Sequence, residues 1–302
     1  MLYRWPTLQE TVLYHPPSTS PPALLCVDVS PSGKRIACGS AAGRVLVLDP
    51  RSRRARRALV GHEDAVVQVR FLGSDKSLLS VGWDGTVRKW STARGSSGAV
   101  ATLTHDSPVK SLCVDPDTGL GAAGSQSGQV VVFDLASLET RHSLVVHDRD
   151  VSGVCLLNDG HDLLTVSWDG RCRLTKVRKR ARPRDLLSLD TRIRAMAVDP
   201  NDTACILGLH DGRVVLVEVP GGTVTELGCH SDAAVAVAIS PTGDLVATGG
   251  WDRTINVWDL SERHLVQSQR CLSGITSLAW STDGRSVLMT NFAGMLSVWS
   301  LD

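Results

Sequence analysis

One short string returns seven times along the chain, and its period limits the fold more than any other feature. It reads Ala42-Gly43-Arg44-Val45-Leu46-Val47-Leu48 in the first copy and Asp84-Gly85-Thr86-Val87-Arg88-Lys89-Trp90 in the second. Later copies start at Ser127, Asp169, Asp211, Asp252 and Ala293, and the steps between second positions are 42, 43, 42, 42, 41 and 41 residues. Self-similarity at this spacing marks a solenoid or a propeller, in which each unit leans on its neighbours. A chain of 302 residues would by length alone suggest two domains. Seven units of about 40 residues fill it, so one repeat domain over residues 1–302 is expected.

Each copy carries four short β-like segments. In the second they run Val66 to Phe71, Ser77 to Gly82, Thr86 to Trp90 and Ala99 to Thr104. Such β-branched runs, bounded by Gly, Asp, Asn and Pro, read as antiparallel strands joined by hairpins. A four-stranded unit cannot bury both faces alone, and closing the array into a ring protects its edges. The seventh copy stops after its third segment, at Asp302, while Gln9 to His15 supplies a strand ahead of the first. The expected fold is therefore all-β: a seven-bladed β-propeller with four antiparallel strands per blade. The N-terminal strand 9–15 would complete blade seven, and residues 16–23 would be a Pro-rich connector.

Here the chain resembles the WD-repeat family, whose signature is a Gly-His and a Trp-Asp pair in each repeat of about 40 residues. The resemblance covers essentially the whole sequence. It implies a tetrad of His, Ser or Thr, Asp and Trp hydrogen-bonded within a blade. Two copies match in full: His62, Ser80, Asp84, Trp90, and His230, Thr248, Asp252, Trp258, with 22 residues from His to Asp in both. The spacing recurs from His147 to Asp169 with Thr165 in the hydroxyl slot, but Thr175 stands where the Trp would be. His105 is 22 residues before Ser127, so that copy lacks the acid. The first, fifth and seventh copies are more degenerate, and their blades are expected to rely on packing.

A His, a Ser and an Asp in one repeat also invite a catalytic-triad reading. The same trio recurs with a Trp at fixed spacing, which fits a structural network better than a repeated nucleophile. Paired, these groups avoid about 1–3 kcal/mol each for burial unbonded. The remaining histidines (142, 161, 210 and 264) show no metal-ligand spacing, and no Gly-rich stretch carries the Gly-Lys-Ser/Thr of a phosphate loop. No enzyme, metal or cofactor is expected.

Two basic runs follow third strands. Arg51, Arg53, Arg54, Arg56 and Arg57 belong to blade one; Lys176, Arg178, Lys179, Arg180, Arg182 and Arg184 belong to blade four. Three blades apart, at about 51° per blade, they cannot form one groove for a short duplex. They read as solvated hairpins, with an anionic partner such as RNA, or a nuclear-import signal, as alternatives. The residue before each Asp slot is Ala41, Trp83, Gln126, Trp168, His210, Trp251 or Phe292. Four of the chain's thirteen Phe, Trp and Tyr residues sit there. In WD-repeat proteins this slot resembles a contact hot spot on one face, though core packing is the other reading. Residues three past the His slot should share that face, among them Asp150 and Arg192, and the rest are mostly small (Ala65, Pro108, Ala233, Gly274).

Net charge is +1, which gives no general nucleic-acid-like surface. Eight cysteines without a Cys-x-x-Cys pair read as free thiols, and no stretch nears 18 apolar residues. The expected protein is intracellular, cytoplasmic before nuclear, and monomeric without a membrane segment. It is expected to act as a non-catalytic scaffold for proteins or peptides in a larger complex, with RNA contact through the Arg-rich hairpins as the alternative.

Overall fold

The computed structural model describes residues 9–14, 21–52, 54–93, 98–177 and 182–301, and every regular element among them is a β-strand. The strands form seven four-stranded antiparallel sheets. The first holds Leu24–Val29, Ile36–Ser40, Arg44–Asp49 and Arg54–Val60, bonded in sequence order. The last holds Ile275–Trp280, Ser286–Asn291 and Leu296–Ser300, and takes its fourth strand from Gln9–Tyr14. That strand runs antiparallel to its partner, with Glu10 opposite Trp299 and Thr11 opposite Val298. The ring is thus closed by the N-terminal strand, as the pattern requires. His15 and residues 16–20 of the connector lie outside the described residues.

Burial changes across each blade, and the sequence follows it. First strands of successive blades are neighbours right round the ring, the first and seventh included. Second strands are covered on both faces, as in Leu245–Gly250, where every residue is buried. They carry small residues because the next sheet presses close: a Cβ on Gly39 would sit 2.5 Å from Cys26 Sγ and 2.6 Å from Val66. Outer strands are the most exposed, and Ala99–Thr104 alternates between half-buried and exposed, with one wet face.

The core is divided into seven apolar clusters, each formed between blades. Cys26, Val45 and Leu59 meet Val66, Leu78 and Trp90 between blades one and two. Leu13, Leu288 and Leu296 meet Leu24, Ile36 and Cys38 between blades seven and one, so the closing strand contributes to the seam it completes. Each fully buried aliphatic side chain is worth about 1.5–3 kcal/mol of transfer free energy. Side chains also bond backbone across the inner strands: Phe71 N–H donates to Asp28 Oδ2 at 2.7 Å and Leu112 N–H to Gln68 Oε1 at 2.6 Å.

One irregularity repeats in all seven blades. The register between first and second strands slips by a residue at the same place. The residue skipped is Leu25, Val67, Lys110, Ser152, Arg194, Val235 or Thr276. A bulge turns its extra residue out of the strict alternation of a strand. All seven line one cavity of about 400 Å³, at the mouth of the ring.

Candidate partner-binding face

In blade two, His62 Nδ1 lies 2.8 Å from Asp84 Oδ2 and Nε2 lies 2.7 Å from Ser80 Oγ. Trp90 Nε1 donates to the same Ser80 Oγ at 2.7 Å. An indole N–H only donates, so Ser80 accepts from Trp90 and gives its proton to Nε2, leaving Nδ1–H for the carboxylate. Asp84 Oδ2 further accepts the Glu63 N–H, and Oδ1 accepts the Thr86 N–H and hydroxyl. Blade six repeats this: His230 Nε2 is 2.9 Å from Thr248 Oγ1, Nδ1 is 3.1 Å from Asp252 Oδ2, and Trp258 donates to Thr248 at 2.9 Å. Blade four keeps His147 to Asp169 and to Thr165, both at 2.9 Å. Thr175 takes the Trp place there, and its hydroxyl has no partner among the described residues.

Ser80, Thr165 and Thr248 are wholly buried, each already bonded to a histidine, so no substrate carbonyl can reach their hydroxyls. Burial pushes the His62 and His230 pKa values down, against the pull of their aspartates, and favours the neutral ring this bonding needs. Burial opposes ionisation of Asp169 too. The hydrogen bond and charge of His147 outweigh it, with the Arg171 and Asp148 N–H groups, and hold that carboxyl at about 2.

The other blades substitute packing for polarity. Blade three has Ala123 and Phe133 in the hydroxyl and Trp places, and both ring nitrogens of buried His105 lack partners among the described residues. In blade seven Cys271 takes the His place, its Sγ 3.5 Å from Met289 Sδ.

The aromatic slot is held by backbone. In every blade its N–H donates to the carbonyl of the residue three past the His slot, from Trp83 to Ala65 at 2.9 Å and Trp168 to Asp150 at 3.0 Å. The same bond joins His210 to Arg192 at 2.9 Å, Trp251 to Ala233 at 3.0 Å and Phe292 to Gly274 at 3.2 Å. The turn beyond it needs a left-handed residue. Gly128 has φ +82°, and a Cβ there would lie 1.8 Å from the His147 carbonyl oxygen. These side chains do not pack into the core: Trp83, Trp251 and Phe292 are 45%, 36% and 48% exposed, His210 is exposed and Trp168 is half-buried. Trp83, Trp168, Trp251 and Phe292 line the mouth, and the Trp251 ring meets Phe292 at 6.5 Å and the edge of His210 at 6.3 Å.

Two cations interleave with the indoles, and the sequence reading missed both. Lys110 Nζ sits 4.7 Å from the Trp83 ring centre and 5.4 Å from that of Trp168. The Arg194 guanidinium lies 4.8 Å from Trp168 and 4.6 Å from Trp251. Arg192 is exposed, 5.4 Å from Trp168. Asp150 is buried, 3.4 Å from Lys110, so it belongs to the floor of the mouth and is not displayed beside the indoles. Lys110 and Arg194 are bulge residues, five past the His slot in their copies, and that constant offset was the available signal.

The basic hairpins emerge at the far ends of the third strands from the aromatic turns, hence on the opposite face. Arg57 donates to the Ala93 carbonyl, Arg184 to the Pro220 carbonyl at 2.5 Å, and Lys176 pairs with Asp162 at 2.6 Å. Arg51 and Arg182 are exposed. Arg53, Arg178, Lys179 and Arg180, and the side chains of Arg54 and Arg56, lie outside the described residues. Among the described residues no group of three His, Cys, Asp or Glu is placed to hold a metal, and no helix is long and apolar enough to cross a membrane.

The molecule is a closed ring of repeats that displays aromatic side chains around a central mouth. The family model for the WD domain, G-beta repeat, matches residues 54–91, 98–134, 138–175 and 221–259, just over half the chain, and the chain belongs to that family. It is 24% identical to WD repeat-containing protein 1 of Gallus gallus, over 91% of this chain and 53% of that protein. It is 26% identical to U3 small nucleolar RNA-associated protein 21 of Saccharomyces cerevisiae, over 65% of this chain and 21% of that protein. With Telomerase protein component 1 of Rattus norvegicus the identity is 25%, over 90% of this chain and 10% of that protein. The chain thus covers about half or less of these relatives' lengths.

Proposed function

We propose that the chain is a non-catalytic adaptor that holds a protein partner against the aromatic mouth of a rigid ring. The observation that carries this is the set of exposed aromatic side chains, each fixed by a turn bonded to a neighbouring turn. Exposed aromatics clustered at one opening are the anchors a protein interface uses. Burial of the tetrad hydroxyls and their recurrence in three blades support the non-catalytic part.

Trp83→Ala, Trp168→Ala and Trp251→Ala test it by melting and partner binding measured on the same proteins. Loss of an aromatic anchor is expected to weaken the partner by about 30-fold, or about 2 kcal/mol. Melting should move little, since these rings leave water only in part. A large fall in melting temperature with unchanged binding would refute the assignment.

Two of the relatives are named for a small nucleolar RNA and for telomerase, so RNA is the second reading, and it tilts the expected compartment from cytoplasm toward nucleus. It would use the basic hairpins. Phosphate contacts weaken steeply with salt, whereas aromatic docking does not. Capture that survives about 0.5 M salt favours the protein partner.

A further inference from the structure

We propose that the mouth takes an acidic segment of the partner, with an Asp or Glu carboxylate seated on Arg194 between Trp168 and Trp251. This rests on the aromatic face being the docking site and adds the chemistry of what docks. Two cations, Lys110 and Arg194, line this mouth, each over at least one indole, and exposed Arg192 lies over Trp168, one of the lining indoles. Among the described residues that line it, Asp150 is the only acid, and it is taken up by Lys110 at 3.4 Å.

Arg194 has no hydrogen bond or ion pair to any described residue beyond its two stacking contacts. Burial, together with the charge of Arg192, pushes its pKa down against the weaker pull of Asp150, so the buried guanidinium is only partly compensated. A guanidinium held between two indoles leaves its N–H groups to a ligand, and a planar carboxylate pairs with them in bidentate fashion. The indoles on either side lower the local polarity and strengthen that pair.

The shape favours a peptide over RNA. A single-stranded nucleic acid is bound along a groove of cations that tracks several phosphates. Here Lys110 and Arg194 share one mouth of about 400 Å³ whose ring also holds aliphatic Leu25, Val67 and Val235. That suits one or two carboxylates flanked by apolar side chains.

Rhodamine-labelled octaglutamate, octaglutamine and octauridylate are the probes, titrated by fluorescence anisotropy at about 50 mM salt. Octaglutamate is expected to bind at least about tenfold more tightly than either other probe. Arg194→Gln should weaken it by about tenfold or more, and so should Arg192→Glu, an exposed position that spares the fold. Melting of both variants is checked alongside. Equal binding of octaglutamate and octaglutamine, or octaglutamate binding untouched by both variants, overturns the proposal, as does tighter octauridylate binding lost in Arg194→Gln. If Trp251→Ala releases the natural partner while Arg194→Gln and Arg192→Glu do not, the aromatic face stands and the acidic ligand fails. If none of the three releases it, both fail.

Discussion

Ser80→Ala is the sharpest probe of how a blade holds together. The hydroxyl accepts from Trp90 Nε1 at 2.7 Å and bonds His62 Nε2 at 2.7 Å, and the Ser80 and Trp90 residues are completely buried. Its removal deletes one small atom but orphans two buried polar groups. At about 1–3 kcal/mol for each unsatisfied group, and with some relaxation, the expected loss is about 2–4 kcal/mol. Trp90→Phe breaks one of the same bonds and opens a small cavity, so the two changes must be coupled. Equilibrium urea unfolding of the wild type, both single variants and the double variant measures this. The double variant should lose about 1–2 kcal/mol less than the sum of the single losses. Losses that add within about 0.3 kcal/mol, or a Ser80→Ala loss below about 0.5 kcal/mol, would refute the network. Blade three is a natural counterpart, with Ala123 and Phe133 at the equivalent places and a His105 ring left unbonded.

Acid should loosen the ring in two stages. His62 and His230 have pKa values lowered chiefly by burial. The unfolded chain therefore binds more protons, and stability falls as pH drops below about 6.5. Asp169, held at about 2, adds a second loss between about pH 4 and that value. Melting temperature followed from pH 8 to pH 5 should decline, by about 2–4 °C per kcal/mol lost, and decline less in His230→Gln. Gly128→Ala should destabilise by at least about 2 kcal/mol in chemical unfolding, given its φ of +82° and the nearby His147 carbonyl. Arg253→Gly, at φ +66° in the same turn of blade six, should instead change stability by no more than about 1 kcal/mol, toward stabilisation. Leu13→Asp puts a charge into the seam between blades seven and one and should lose more than about 3 kcal/mol, whereas Val12→Asp on the exposed side of the same strand stays within about 1 kcal/mol.

The period, the closing strand and the tetrad partners were legible because each rests on spacing. A fixed count from His62 to Asp84, repeated from His230 to Asp252, places the same atoms together whatever lies between. The aromatic slot was legible for the same reason. Lys110 and Arg194 were not, because their direction depends on a bulge. Period-two alternation alone sends residue 194 to a different side from 193, and only the slipped register shows that it enters the mouth. Asp150 lies at the face its position in the repeat indicates, but its burial beside Lys110 depends on the neighbouring blade and could not be read from spacing. The Cys271 and Met289 contact of blade seven follows no signature and became visible only through packing.

The central claim, that the aromatic mouth and not the basic rim holds the partner, can be tested by one cross-linking measurement. A photo-crosslinking amino acid is placed at Phe292, exposed at the mouth, and in a second protein at Arg182, exposed on the opposite rim. Irradiation in cell extract at about 0.15 M salt should attach a protein partner from position 292 and none from position 182. Attachment from position 182 alone, above all to RNA, would contradict the account.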